Sequence, residues 1–337
     1  MARLIDFEPI DPRHEWPHDY PDGVHYSLTE THYFGVQLLE PRLDCEIYAW
    51  YHPALRMVSA GIFCFSGFPL THMACDYFDY QVYLPWPEVS DRSISFVNGL
   101  ELIIEEPLQR ILVRYSNEAR NTSLDLAYTA VMPAVARKRA MHNEAVQRVR
   151  YDVGGLEQTM RVEGEIRLGG QVIPVDTHFV RDRSYGQLRS EAAGSGPPFG
   201  WQSGSFGADF SFGILGIEDP KRNPCWADAF QVPPDRTLFS GWVCRDGGIY
   251  EVKRLSRLMR RGSNGLWPTG GNFEFEDSTG RGFEVESEVR AIQPWGPWPN
   301  MSLVWGLTEF RMQGRTGVGS TQEILVPDFS RRFLRSK

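Results

Sequence analysis

Residues 156–180 read LEQTMRVEGEIRLGGQVIPVDTHFV, and their side chains alternate with a period of two up to a glycine pair. Leu156, Gln158, Met160, Val162, Gly164, Ile166 and Leu168 share one parity, while Glu157, Arg161, Glu163, Glu165 and Arg167 share the other. That alternation is the mark of a strand with one packed face. Gly169-Gly170 supplies the positive φ angles that a tight hairpin turn demands. The same parity assigns Gln158 to the packed side.

The texture recurs along the chain. YFGVQLLE, CEIYAWYH, MVSAGIFCFSG and DYFDYQVYLPW are aromatic and β-branched runs bounded by Pro, Gly or Asp, and further runs follow at GIYEVKRL, GFEVESEVRAI and SLVWGLTEFRM. With 20 Phe, 13 Tyr and 10 Trp set among 32 Gly and 23 Pro, the composition suits strands joined by turns. No βαβ alternation is visible, so the expected fold is all-β, with barrels or sandwiches rather than a wound parallel sheet. The organisation predicted is a lead-in over 1–30, a first barrel-like domain over 31–135, a linker over 136–155 and a second barrel-like domain over 156–337. One surface helix is expected over 135–150, and the basic clusters at 253–261 and 331–337 are expected to be solvated faces or tails.

Charge and cysteine content exclude several functions. A net charge of -8, with 35 Lys+Arg against 43 Asp+Glu and no sustained basic tract, gives no electrostatic reason to bind nucleic acid. Cys45, Cys64, Cys75, Cys225 and Cys244 are odd in number and form no CxxC pair, so reduced thiols are expected rather than a disulfide scaffold or zinc knuckle. The opening MARLIDFEPIDPRHEW lacks the apolar stretch of a signal peptide, and no window approaches 18 uninterrupted apolar residues. The expectation is a soluble cytoplasmic protein without stable membrane insertion. His14 and His18 are four apart, but Pro17 between them keeps both off one helical face, and HExxH, GxGxxG and GxxxxGK[ST] are absent. No motif requires a metal or cofactor.

The densest polar run is DTHFVRDRSYGQLRSE, 176–191. On an extended strand Asp176, His178, Val180 and Asp182 share one face, and Thr177, Phe179, Arg181 and Arg183 the other. A carboxylate beside a histidine can transfer protons; the same residues can equally form a structural ion-pair network. Glu309 shares parity with Leu303, Trp305 and Leu307, which places a carboxylate on an apolar face, with Arg311 as its available counter-charge. Gln158 follows the same inward logic.

Residues 157–189 resemble the signature of the carotenoid 1,2-hydratase and AttH-like superfamily of lipocalin-related proteins, in which an Arg-Asp-His-Ser-Trp-Gly motif follows a hairpin. Arg181, Asp182, Ser184 and Gly186 match that motif; Arg183 stands where His is usual and Tyr185 where Trp is usual. EEPLQRILVRY and MQGRTGVGSTQEI extend the resemblance, with Glu323 matching the acid of a late glycine-rich strand. The resemblance implies two consecutive calycin-like β-barrels around apolar cavities. It also implies cofactor-free chemistry of hydratase, dehydratase, isomerase or cyclase type on an isoprenoid, steroid-like or polycyclic substrate. On that reading Asp182, Tyr185, His178 and Glu309 are the catalytic candidates, and Gln158, Arg181, Trp305 and Glu323 the substrate-binding ones. The alternatives are a non-catalytic carrier of a hydrophobic small molecule and a structural or partner-binding protein; a homodimer is compatible with each.

Overall fold

The computed structural model describes residues 5–6, 9–137, 152–189, 197–218, 226, 237–298 and 301–335. Contacts divide the chain into two units, Met1–Val36 with Cys45–Cys64 and Tyr77–Arg189, and Gln37–Asp44 with Phe65–Asp76 and Ser190–Lys337.

The first unit is built on β1 (Ile5–Asp6), β2 (Leu28–Leu38), β3 (Leu43–His52), β4 (Met57–Phe65), β5 (Tyr77–Pro85), β6 (Glu88–Val89) and β7 (Ser93–Ser95). It continues through β8 (Leu100–Glu106), β9 (Arg110–Asn117), β10 (Thr122–Ala130), β11 (Val135–Arg137), β12 (Gly154–Leu168) and β13 (Gln171–Leu188). The sheet runs β5-β4-β3-β2-β13-β12-β10-β9-β8-β7-β6, with β11 on β12 and β1 on β11. It does not close by backbone pairing, but it curls. The Tyr115 hydroxyl and Asn117 Nδ2 (3.0 Å) donate to Asp79 on β5, Arg120 donates to the Phe78 carbonyl (2.9 Å), and Asn98 donates to the Ala60 carbonyl (2.9 Å). These side-chain bonds join distant strands of an open half-barrel. Leu124, Leu126 and Tyr128 are buried while Asp125 is exposed, as the parity of β10 demands.

The second unit carries β14 (Phe199–Ser205), β15 (Phe210–Gly216), β16 (Leu238–Arg245), β17 (Gly248–Arg261), β18 (Pro268–Asp277), β19 (Gly282–Pro294), β20 (Ser302–Met312) and β21 (Arg315–Leu325). Each pairs with the next and β21 returns to β14, which closes an up-and-down barrel. Phe212, Val243, Val252, Phe273, Phe275, Phe283, Val285 and Phe310 fill its apolar interior. Gly204 faces this cluster, where a Cβ would lie 2.7 Å from the Phe310 ring. At the β16–β17 turn Asp246 and Gly247 have φ of 51° and 75°, the positive pair of a type I′ hairpin. Helix α1 (Pro327–Arg335) follows, with Phe329 and Phe333 one turn apart and packed with Trp226 and Leu325.

Four expectations are corrected. Only one sheet closes, so the fold is one barrel and one open half-barrel. The hairpin at 156–188, expected to open the second domain, pairs instead with β10 and with β2 inside the first sheet, and β2 lies far away in sequence. Val135–Arg137 is a strand rather than the start of a helix, and the remainder of the expected helix, 138–150, lies outside the described residues. The basic C-terminal run belongs to an amphipathic helix that buries two phenylalanines.

Candidate active site

The end of β13 anchors the segment over residues 14–20. Arg183 is buried, and each of its N–H directions has an acceptor: the His14 carbonyl (3.1 Å), the Thr31 carbonyl (3.2 Å), the Ser184 carbonyl (2.6 Å), the Trp16 carbonyl (2.9 Å) and the Glu30 carboxylate. Arg181 grips Glu15 through two bonds of 2.8 and 2.6 Å and donates to Gln158 Oε1. Gly186 donates its N–H to the Tyr20 hydroxyl at 2.9 Å. Its φ is 67°, and a Cβ there would lie 2.1 Å from the Asp152 carbonyl oxygen, so only glycine fits. The Arg-Asp-x-Ser-x-Gly run thus fixes residues 14–20 onto the sheet.

What it fixes is a chain of titratable groups. Asp11 caps a short 3-10 helix, Pro12–Glu15, and the extended turn through Pro17 then brings His18 back beside His14. His14 Nδ1 and His18 Nε2 are 2.8 Å apart. On its other side His18 Nδ1 lies 3.2 Å from Glu30 Oε1, which also accepts the His18 backbone N–H at 3.0 Å. Tyr185 stacks on His14 at 4.3 Å between centroids and lies 4.7 Å from His18.

Burial alone would raise the Glu30 carboxyl, but the Arg183 charge and the hydrogen bonds from His18 and Tyr20 outweigh it, and its pKa is held below the usual carboxylate range. An ionised Glu30 only accepts, so His18 Nδ1–H donates to it, which leaves Nε2 as acceptor. His14 then donates through Nδ1, which leaves Nε2 as that ring's unprotonated nitrogen. Burial and then His18 push the His14 pKa down, which keeps that ring neutral near pH 7. The arrangement can receive a proton at His14 Nε2 and return one from it, with positive charge passed to the imidazole beside Glu30.

His14, His18 and Asp152 are also the one grouping of metal-type ligands found among the described residues, within 4.8 Å of one another. Here the imidazoles bond each other and Asp152 pairs with Arg13 at 2.6 Å. Pro17 was expected to keep the two histidines off one helical face; they meet instead through the turn that follows the 3-10 helix.

Beneath the cluster His32 is buried, with Nε2 donating to the Glu15 carbonyl (2.9 Å) and Nδ1 accepting from the Tyr51 hydroxyl (3.0 Å). Burial first and the Arg183 charge second hold its pKa well below 6.5. The folded state therefore keeps His32 neutral while the unfolded chain binds a proton, so stability falls as pH drops below about 6.5, by about 1.4 kcal/mol per pH unit. Thermal unfolding of wild type and His32→Gln from pH 7.5 to 5 checks this, and the variant's slope should be flatter.

The residues named from sequence fall into distinct settings. Gln158 is buried and saturated: it donates to the Leu108 (2.8 Å) and Met132 (2.9 Å) carbonyls and accepts from Arg181. Asp182, 16% exposed at its side chain, faces Arg137, which also meets Glu157 at 3.4 Å. His178 is half-buried, and burial followed by the Arg161 charge lowers its pKa. Of the four residues named as catalytic, Tyr185 is the one in contact with the imidazole pair. His14, His18 and Glu30 were not selected, and the four-residue spacing of the histidines was the available signal.

Glu309, Trp305 and Glu323 belong to the second unit. Glu309, 14% exposed at its side chain, pairs with Arg311 at 2.6 Å, and the Trp305 indole donates to the Trp295 carbonyl at 2.6 Å. Glu323 is buried at the polar end of the barrel with Arg257, and lies 3.3 Å from Arg261, which binds Glu218 at 2.6 Å and lies under the Trp226 ring at 3.4 Å. Burial pushes the Arg257 guanidinium down to about 9, which leaves it charged at neutral pH beside its carboxylate.

One unit is a closed eight-stranded barrel and the other a curled open sheet. A putative AttH from Nitrosomonas europaea shares this fold at 12% identity, with a TM-score of 0.51 over 96% of this chain and 99% of that one. Kievitone hydratase from Nectria haematococca shares it at 12% identity, with a TM-score of 0.50 over 90% and 89%. No curated protein matches the sequence. The family model described as a domain of unknown function, DUF7064, matches residues 11–325, and the chain belongs to that family. Among the described residues no helix is long and apolar enough to cross a membrane.

Proposed function

We propose that the protein is a cofactor-independent acid–base lyase or isomerase, of hydratase, dehydratase or cyclase type, acting on a hydrophobic isoprenoid, steroid-like or polycyclic molecule. The observation that carries this is the hydrogen-bonded series Glu30, His18, His14; on this reading His14 Nε2 is the atom that meets the substrate. A substrate proton moves to His14 Nε2 while the His14 Nδ1 proton passes to His18 Nε2, and Glu30 offsets the imidazolium that forms. Reversal protonates an alkene carbon or a leaving hydroxyl. Tyr185 holds the two rings in line through its stacked face, and Asp182 in this reading anchors Arg137 rather than carrying the proton. The fold shared with kievitone hydratase is in keeping with this chemistry.

The test is a panel of isoprenoid alkenes, tertiary alcohols and polycyclic compounds incubated in water containing heavy oxygen and followed by mass spectrometry. Label in the product marks hydration, loss of water marks dehydration, and an unlabelled isomer marks isomerisation or cyclisation. Asp182→Asn should retain turnover. Tight binding across the panel with no product in any case would replace the enzyme reading with that of a carrier.

A further inference from the structure

Cys45 on β3 and Cys64 on β4 lie on neighbouring strands of the first sheet, both are buried, and their Sγ atoms are 2.9 Å apart. Non-bonded heavy atoms normally rest about 3.5–4 Å apart, so the two sulfurs are already inside ordinary contact. A disulfide needs about 2.05 Å, an approach of less than about 1 Å from here. An odd cysteine count without CxxC spacing gives no hint of this pair, because the strand pairing makes it.

We propose that Cys45 and Cys64 form a dithiol that closes to a disulfide when a hydroperoxide reaches it. In the first step one thiolate attacks a peroxide oxygen, the O–O bond breaks, and a sulfenic acid and hydroxide form. The second thiol then attacks the sulfenic sulfur, the S–S bond forms, the S–O bond breaks and water leaves. Two electrons pass from the cysteines to the peroxide, and the thiol protons end in water. Burial selects the oxidant by size: a small peroxide can enter during local opening, whereas bulky aromatic disulfides are kept out. The bridge would staple β3 to β4 and, being enclosed, resist large reductants.

The experiment treats the native protein with hydrogen peroxide, unfolds it in an alkylating agent and digests it without reduction. The expected product is one joined species containing Cys45 and Cys64, about 2 Da lighter than the two free peptides, with neither cysteine alkylated. In Cys45→Ala the Cys64 peptide should instead stay a monomeric thiol or gain oxygen. Because access is by opening, the unfolded chain is also refolded in a glutathione and glutathione disulfide buffer, where the same bridge should form. Recovery of both cysteines alkylated in both arms, separate oxygenation of each, or linkage to Cys75 instead would overturn the proposal.

Discussion

His18→Gln is expected to lower turnover by roughly 10²- to 10⁴-fold, the usual contribution of a positioned general acid–base group. Glutamine keeps an amide near Glu30 and leaves the His18 backbone N–H on the same carboxylate, so the melting temperature should change little. What is lost is an acceptor that can become a cation between His14 and Glu30. His14→Gln should give a loss of the same order, and the double variant should be little worse than either single one, because the two rings act in series. Steady-state rates on a substrate found by the isotope panel, read beside thermal melts, separate this from a folding defect. Equal loss of rate and of folded protein would make His18 structural.

Arg183→Met is expected to cost about 3–5 kcal/mol of stability, the range seen when one partner of a buried ion pair is removed. Methionine fills similar volume but leaves the Glu30 carboxylate buried without its counter-charge and the His14, Trp16 and Thr31 carbonyls without their donor. Glu30→Gln in the Arg183→Met background should restore part of the loss, since the uncompensated charge is removed with it. Denaturant melts of the four proteins in this cycle give the coupling directly. An Arg183→Met variant within about 0.5 kcal/mol of wild type would mean that the segment is held by Arg181 and Glu15 instead.

The two effects, one on turnover and one on stability, meet at one place, and this explains how much of the site was legible in sequence. Parity placed Gln158 on the packed side and the Gly169-Gly170 pair located the hairpin turn, because period-two alternation and positive-φ glycine positions are local properties. Parity also separated Asp182 from Arg181 and Arg183, but it could not tell which face would be the more deeply covered. Residues 14–16, which cover it, lie more than 160 positions away in sequence. The same distance hid the imidazole pair: Pro17 rules out a helix, and what brings His18 to His14 is a turn whose geometry is set by Arg183. Closure was illegible for a related reason. The strands of β19 and β10 alternate alike, yet one lies in a barrel and the other in an open sheet, since closure depends on which distant strands pair. Helix α1 was missed because Phe329 and Phe333 show the helical spacing only once, within a run dominated by its arginines.

The central claim is that protons pass between substrate and the His14–His18 pair, and solvent deuterium tests it most directly. In heavy water, with a substrate that the panel identifies, wild-type protein should introduce deuterium at the reacting carbon or exchange it from the recovered substrate, while His18→Gln should do so at least about 100-fold more slowly. Deuterium entering at the same rate in both proteins, while the variant remains folded, would contradict the account.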